Sequence, residues 1–194
     1  MKNLLHITYI AILGYASISS GQATNTLSIE PAVAMKFLIE SNKAYMVEQS
    51  DDLVTWTNAS EWIIDNNGDT NTFYLEADNA SRYFRYKSKN RPTVLETIPE
   101  NGSTNVDANI TEITIKFSDD MAGGGTWGSA STFGEYPEWG SFQRPDDRTL
   151  IRGIILETNT QYAFWLNPPS ALIKGHQSIE GIPLMPSLVT FKTE

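Results

Sequence analysis

The chain has 194 residues, of which 14 are Lys or Arg and 23 are Asp or Glu, so its formal net charge is −9 at pH 7. A surface of this sign repels nucleic acid phosphates and anionic lipid, and we expect no nucleic acid partner. The absence of cysteine excludes disulfides, zinc–thiolate sites, iron–sulfur clusters and a thiol nucleophile.

The first 23 residues have the pattern of a secretory signal peptide. Lys2 precedes a mostly apolar run over residues 4–18, and small residues lead to an expected cleavage after Ala23. Because Tyr9 and Gly14 interrupt the run, an N-terminal membrane anchor is the less favoured alternative. No other stretch is apolar enough to span a membrane. We therefore predict a mature chain that is secreted, periplasmic or held at the cell surface.

Beyond this segment the sequence is typical of an all-β protein. Short alternating, β-branched or aromatic runs recur between clusters of Gly, Asn, Asp and Pro, whereas helical periodicity is hard to find. Residues 88–91 are polar and end at Pro92, which cannot donate to a sheet, so this segment is predicted to be a linker. The sequence thus predicts two tandem β modules, over residues 24–90 and 91–194.

The first module has five candidate strands, at residues 35–40, 45–49, 62–64, 73–77 and 83–87. Residues 31–38 are also compatible with a helical turn. The Ser-Asp-Asp-Leu-Val-Thr-Trp segment at 50–56, followed by Arg-Tyr-Phe-Arg at 82–85, resembles a short β-module of secreted proteins from environmental bacteria. This resemblance implies no activity. We expect Leu53 and Trp56 to close the end of a small sheet.

The second module carries several motifs in a fixed order. Residues 92–106 contain two prolines and an Asn-Gly turn, and residues 113–121 read Ile-Thr-Ile-Lys-Phe-Ser-Asp-Asp-Met. Leu-Glu-Thr-Asn-Thr-Gln-Tyr follows at 156–162, then Gly-Ile-Pro-Leu at 181–184 and Val-Thr-Phe-Lys-Thr at 189–193. This series closely resembles the bacterial Ig-like domain first recognised in S-layer proteins, although Glu157 and Thr158 replace the usual pair before Asn159.

The resemblance implies a β-sandwich and an accessory role, which is spacing, cell-surface association, or adhesion to a polysaccharide or protein. The residues alone also predict two facing sheets of about seven strands, because apolar side chains alternate along two segments. The predicted core consists of Ile113, Ile115, Phe117, Tyr162 and Phe164.

Catalytic chemistry has few candidates. His176 lies in a Lys-Gly-His-Gln loop and would have to be the base of any Ser-His-Asp triad, whereas we expect a solvent-exposed loop residue. A polysaccharide hydrolase could use two carboxylates from Glu135, Glu138, Asp146 and Asp147, but acids at this density are usually surface charge. We therefore expect no catalytic residue, no cofactor and no enzyme activity.

The aromatic-rich residues 127–142 suggest an alternative function, a small carbohydrate-binding protein. Trp127, Tyr136 and Trp139 would stack on sugar faces if a loop exposed them, and Glu138 would hold hydroxyls. The favoured alternative is that Trp139 and Phe142 belong to a middle strand and pack inside the sandwich.

Residues 65–76 have the oxygen-ligand spacing of a calcium loop. Asp65, Asn67, Asp69, Asn71 and Glu76 occupy relative positions one, three, five, seven and twelve. Position six lacks the glycine that the sharp turn requires, and the flanking segments have strand patterns instead of helical ones. An Asn-Asn-Gly-Asp hairpin turn explains the same residues, so we favour the hairpin and expect no metal site.

Overall fold

The computed structural model describes residues 32–64, 70–76, 83–169 and 175–194. In these ranges the regular secondary structure consists of β-strands, which confirms the all-β prediction. No helix in the described ranges is long and apolar enough to cross a membrane. The chain divides into two compact units, Met1–Lys89 and Asn90–Glu194.

The described part of the first unit contains two small sheets. Strand β1 pairs with β5, and the central strand β2 pairs with β3, β4 and β6. Its described strands are β1 (Ala32–Leu38), β2 (Lys43–Ser50), β3 (Thr57–Asn58), β4 (Ile63–Ile64), β5 (Thr70–Glu76) and β6 (Tyr83–Asn90). All five predicted strands are therefore present, with different ends, and residues 32–38 form a strand instead of a helical turn.

The polar segment predicted as a linker is ordered on both sides of the unit boundary. Strand β6 continues to Asn90, and Arg91 and Pro92 are buried. The Arg91 guanidinium donates to the carbonyl oxygens of Pro183 (3.1 Å) and Leu184 (2.8 Å). The boundary between the two units lies within this segment, which continues β6 as far as Asn90 and is buried from Arg91, where these carbonyls satisfy the guanidinium.

The turn after β2 also differs from the prediction. The Asp52 carboxylate accepts hydrogen bonds from the amides of Val54 (2.8 Å) and Thr55 (2.7 Å), which closes a tight turn. Leu53 has a φ of 63° and a side chain that is 52% exposed, so it does not close the sheet end. Trp56 is half-buried. Among the described residues, the core of the first unit includes Met35, Ile39, Tyr45, Val47 and Phe84.

The second unit is a β-sandwich. One sheet has the order β10-β11-β8-β7 and the other has the order β9-β12-β13, so the described strands number seven, as predicted. They are β7 (Val94–Ile98), β8 (Glu112–Phe117), β9 (Trp127–Ser129), β10 (Glu138–Asp146), β11 (Thr149–Ile155), β12 (Gln161–Leu166) and β13 (Ser187–Lys192).

The two sheets of the sandwich enclose a single apolar core. All five predicted core residues are buried in it, which confirms the alternation argument. Met121 is buried beside them, after the end of β8. The same core includes Val106, Leu150, Ile154, Leu166, Leu184, Val189 and Phe191.

Candidate functional site

Two tryptophans close one lateral side of the sandwich. Trp127 lies on β9 and Trp139 lies on β10, and each of these strands is at the edge of its sheet. Their ring centroids are 4.7 Å apart, at an interplanar angle of 55°. Both rings also contact the buried Phe164 of β12, at 5.4 Å and 5.0 Å between centroids. Side-chain packing therefore joins the two sheets here.

Arg152 of β11 lies against both indole rings. It alternates with the buried Leu150 and Ile154, so its side chain is on the inner face of the sheet. Its guanidinium carbon lies 4.6 Å from the centroid of the Trp127 ring and 4.4 Å from that of the Trp139 ring, a cation–π arrangement. We call Trp127, Trp139 and Arg152 the Trp–Arg–Trp cluster.

Two exposed aromatic rings lie at the border of this cluster. Tyr136 is 40% exposed and meets Trp139 edge-on, with centroids 5.7 Å apart and an angle of 75°. Phe142 is 47% exposed and lies directly opposite Arg152 in the β10–β11 pair. The prediction that Phe142 packs inside a middle strand was wrong, because β10 is an edge strand. The other half of that prediction, Trp139 packed on the core, is confirmed.

The structure brings together three of the four residues predicted to bind sugar. Trp127, Tyr136 and Trp139 are neighbours, but their rings are tilted and do not form a flat platform. Glu138 is exposed and pairs with Ile155, which is 62% exposed on the outer face of the sheet. It therefore faces away from Trp139, its neighbour on the same strand.

Sequence reasoning missed Arg152, although a signal for it exists. The residue interrupts the apolar alternation of β11 at a position where a core side chain is expected. A charged residue at such a position is unusual, because burying a charge is costly without a partner. This interruption is the pattern that could have indicated the cluster.

Three buried nitrogen atoms of this region have no hydrogen-bond partner in the described part of the protein. They are Trp139 Nε1, Arg152 Nε and His176 Nε2. The pKa of Arg152 is lowered by partial burial of its guanidinium, against a smaller opposing effect of Tyr136. The cluster is thus a place where positive charge and N–H donors are present without matching acceptors.

His176 is buried, contrary to the prediction of an exposed loop residue. Its exposed fraction is 2%, and its ring lies 5.5 Å from Trp127 and 6.1 Å from Phe117. Asn167 holds the loop in place, because its side-chain oxygen accepts from the His176 amide (2.7 Å) and its side-chain nitrogen donates to the His176 carbonyl (2.7 Å). These bonds satisfy the polar backbone and allow the loop to turn inward.

The surroundings of His176 disfavour its protonated form. Burial lowers the pKa of this imidazole to about 4, and the nearby guanidinium groups of Arg144 and Arg152 act in the same direction. Arg144 donates to the backbone carbonyls of Met121, Ala122 and Asp147. A neutral His176 is therefore part of the packing around Trp127.

The carboxylates considered for hydrolysis lie at the surface. Glu135, Glu138, Asp146 and Asp147 are all exposed. Asp146 accepts a hydrogen bond from the Arg148 amide (2.8 Å) in the β10–β11 turn, and this bond holds the pKa of its carboxyl below the usual value. These four carboxylates are therefore turn and surface residues.

Most of the calcium candidates fall outside the described part of the chain. Asp65, Asn67 and Asp69 lie outside the described residues. Asn71 and Glu76 belong to β5, so the segment flanking the candidate loop is a strand instead of the helix that a calcium loop requires. Within the described ranges, no group of three or more His, Asp or Glu residues is arranged to hold a metal ion.

A groove of about 720 Å³ lies between β7 and β13, on the other lateral side of the sandwich. Leu95 and Ile98 at its border are 69% and 53% exposed. Asn101 covers part of the β13 edge by donating to the Leu188 carbonyl (3.0 Å) and accepting from the Thr190 amide (2.8 Å). None of the predicted site residues lines this groove.

Comparison with known families agrees with this architecture. Residues 88–177 match the family model described as bacterial Ig-like domain. This part of the second unit is similar to bacterial Ig-like domains. The match includes the whole Trp–Arg–Trp cluster and ends before β13, the strand that completes the second sheet of the sandwich. Ig-like domains of this family are typically non-enzymatic. No curated protein and no solved structure gives a significant match.

Proposed function

We propose that the protein is an exported, non-catalytic accessory module of the bacterial cell surface, of the S-layer type that its motifs resemble. The observation that supports this most directly is the filled interior of the Ig-like domain. Thirteen buried apolar residues occupy the space between the sheets, and the acids suitable for hydrolysis are exposed. Such a domain supplies a stable body and a surface for binding.

Export and surface association are tested by locating the native protein. The expected result is a mature N-terminus at Thr24 and labelling of intact cells by an antibody against the Ig-like domain. Protease treatment of intact cells should remove this labelling, while a cytoplasmic marker protein stays protected. A full-length product confined to the cytoplasm would overturn the proposal.

The absence of catalysis is tested on purified protein with a panel of neutral and acidic polysaccharides. We expect no release of reducing ends. If any release occurs, Glu135→Gln and Glu138→Gln are the deciding variants, because an amide at either position removes a carboxylate required as acid or base. Activity that is lost in one of these variants would contradict the non-catalytic role.

Carbohydrate binding is a second candidate function, and one observation favours it. The exposed rings of Tyr136 and Phe142 lie beside the Trp–Arg–Trp cluster, where they offer apolar contact area to a sugar ring. A glycan array tests this candidate. Binding should decrease in Tyr136→Ala with an unchanged unfolding midpoint, and an array without any signal would favour the spacer role.

A further inference from the structure

The charge of Arg152 is not compensated within the described part of the chain. No ion pair joins this guanidinium to a carboxylate there, although the protein has 23 acidic residues. Other cations have carboxylate partners within 2.8 Å, namely Arg85 and Lys87 with Glu48, Lys116 with Glu96, and Arg148 with Asp120. Arg152 therefore retains its capacity to attract an anion.

The guanidinium is also held in a defined position. Trp127 and Trp139 contact it from two strands that belong to different sheets. The buried Phe164 packs against both rings. A planar guanidinium that is held in place loses less conformational entropy when it binds a carboxylate than a flexible lysine does. Arg152 is half-buried as a residue, and its Nε is among the buried atoms.

The donors nearby add to this preference. The N–H groups of Trp139 Nε1 and Arg152 Nε have no acceptor in the described protein, and their dipoles are not matched by a negative group. His176 stays neutral in this environment and contributes no competing charge of either sign. Arg144 and Arg152 both act on His176 as nearby positive charges, in a chain of net charge −9.

The exposed aromatic rings restrict the chemistry of the ligand. Phe142 faces Arg152 across the strand pair, and Tyr136 packs against Trp139 at the border of the cluster. Rings in this position contact the C–H face of a sugar, while the guanidinium pairs with a carboxylate. A sugar that carries a carboxylate satisfies both contacts within one residue.

We propose that the Trp–Arg–Trp cluster, with Tyr136 and Phe142, is a binding site for a uronate residue of an acidic polysaccharide, anchored by its carboxylate on Arg152. This inference rests on the second candidate function above and names its ligand class. Long-range repulsion between the acidic protein and an acidic polymer opposes binding, so the affinity depends on this local contact.

The test is a calorimetric titration of the mature protein with polygalacturonate and with its fully methyl-esterified form, which has the same backbone without the charge. We expect the acid form to bind about tenfold or more tightly than the ester. Arg152→Gln should reduce the affinity for polygalacturonate by a similar factor. The matched control is Arg148→Gln, which removes an exposed arginine of the β10–β11 turn and should leave the affinity unchanged.

A second measurement keeps the test decisive if Arg152→Gln fails to fold. The ¹⁵Nε–¹Hε resonance of Arg152 in the unmodified protein should shift on addition of polygalacturonate and stay unchanged with the ester. In addition, Arg152→Lys preserves a positive charge but lacks the planar fork, and it should weaken binding several-fold.

Several results would overturn the proposal. These are equal binding of the acid and ester forms, equal loss in Arg148→Gln and Arg152→Gln, or the absence of binding. Tight binding of polyglutamate with no binding of polygalacturonate would assign the site to an acidic peptide instead. Each of these outcomes leaves the localisation and hydrolysis results unaffected, so a failure here is distinguishable from a failure of the proposed surface role.

Discussion

An arginine lies on tryptophan in both units, but its charge is treated differently in each. In the first unit the Arg85 guanidinium carbon lies 4.0 Å from the centroid of the Trp56 ring, and its Nε donates to a Glu48 oxygen at 2.7 Å. In the second unit Arg152 contacts two rings and has no carboxylate partner among the described residues. The arginine–tryptophan contact is therefore accompanied by a neutralising carboxylate in the first unit, and it has no such carboxylate among the described residues of the second.

Glu48, the acid that pairs with Arg85, is stabilised in its ionised form. Burial tends to raise the pKa of Glu48, but hydrogen bonds from Lys87 and Arg85 outweigh it, so the net shift is downward. A buried carboxylate with two cationic partners contributes to stability and has little capacity for a further ligand. The comparison indicates that the presence of an acid partner, and not the cation–π contact, separates a structural arginine from a binding one.

The largest expected loss of stability follows from removing the buried ring that packs against the Trp–Arg–Trp cluster. Phe164 is fully buried and contacts both Trp127 and Trp139. Phe164→Ala should lower the free energy of unfolding of this unit by about 3–5 kcal/mol, because it removes apolar burial and leaves a cavity. Urea denaturation followed by tryptophan fluorescence measures the change.

The control is Phe133→Ala, at a residue that is 53% exposed, which should change stability by less than about 0.5 kcal/mol. Equal effects of the two substitutions would contradict the assignment of the core.

The next largest effect is the pH dependence of stability, which differs between His176 in the second unit and Glu48 in the first. The pKa of His176 is about 4 in the folded protein and about 6.5 when unfolded. The unfolded state binds more protons between these values, so stability is complete above about pH 6.5 and declines as the pH falls toward 4. From pH 7 to pH 5 the loss should be about 2 kcal/mol.

His176→Gln is the variant that isolates this contribution. The change in unfolding free energy between pH 7 and pH 5 should be smaller in the variant by about 2 kcal/mol, whatever its stability at pH 7. Glu48 has a lowered pKa, so its contribution is present above its unfolded pKa and disappears only as the pH falls further through its folded value. An identical pH dependence in both proteins would show that His176 titrates normally.

The comparison of the two arginines is tested directly by replacing each with methionine. Arg85→Met leaves Glu48, which is 7% exposed, with one cationic partner instead of two and should destabilise the first unit by about 1–2 kcal/mol. Arg152→Met removes a cation that has no carboxylate partner among the described residues, so relief of its burial offsets the loss of two cation–π contacts and stability should change by less than about 0.5 kcal/mol. Urea denaturation measures the free energy of unfolding of both variants. A larger decrease for Arg152→Met than for Arg85→Met would mean that the charge of Arg152 is needed for folding.

A smaller loss than that of Arg85→Met is expected when only the exposed cation–π contact is removed. Trp56→Leu retains an apolar side chain under Arg85 and keeps the ion pair with Glu48. The expected destabilisation is about 0.5–1 kcal/mol, the range measured for such contacts at exposed sites. A loss comparable to that of Arg85→Met would indicate that the ring, and not the carboxylate, dominates the first network.

The sequence by itself determined the class of fold and five of the thirteen buried core positions of the sandwich. Ile113, Ile115 and Phe117 alternate along one strand, and Tyr162 and Phe164 alternate along another, because side chains of a strand point to opposite faces in turn. This period is a local property, so it can be read without knowledge of the partners. The five strands predicted in the first module depend on the same property.

Only the tertiary structure decided where the polar and aromatic side chains meet. Trp127 and Trp139 become neighbours because the edges of two different sheets face each other, and Arg152 contacts both rings from a third strand. His176 is buried because Asn167, nine residues away, binds its backbone. Such contacts depend on chain segments that are distant in sequence, and the local composition of a Gly-rich or polar loop carries no information about them.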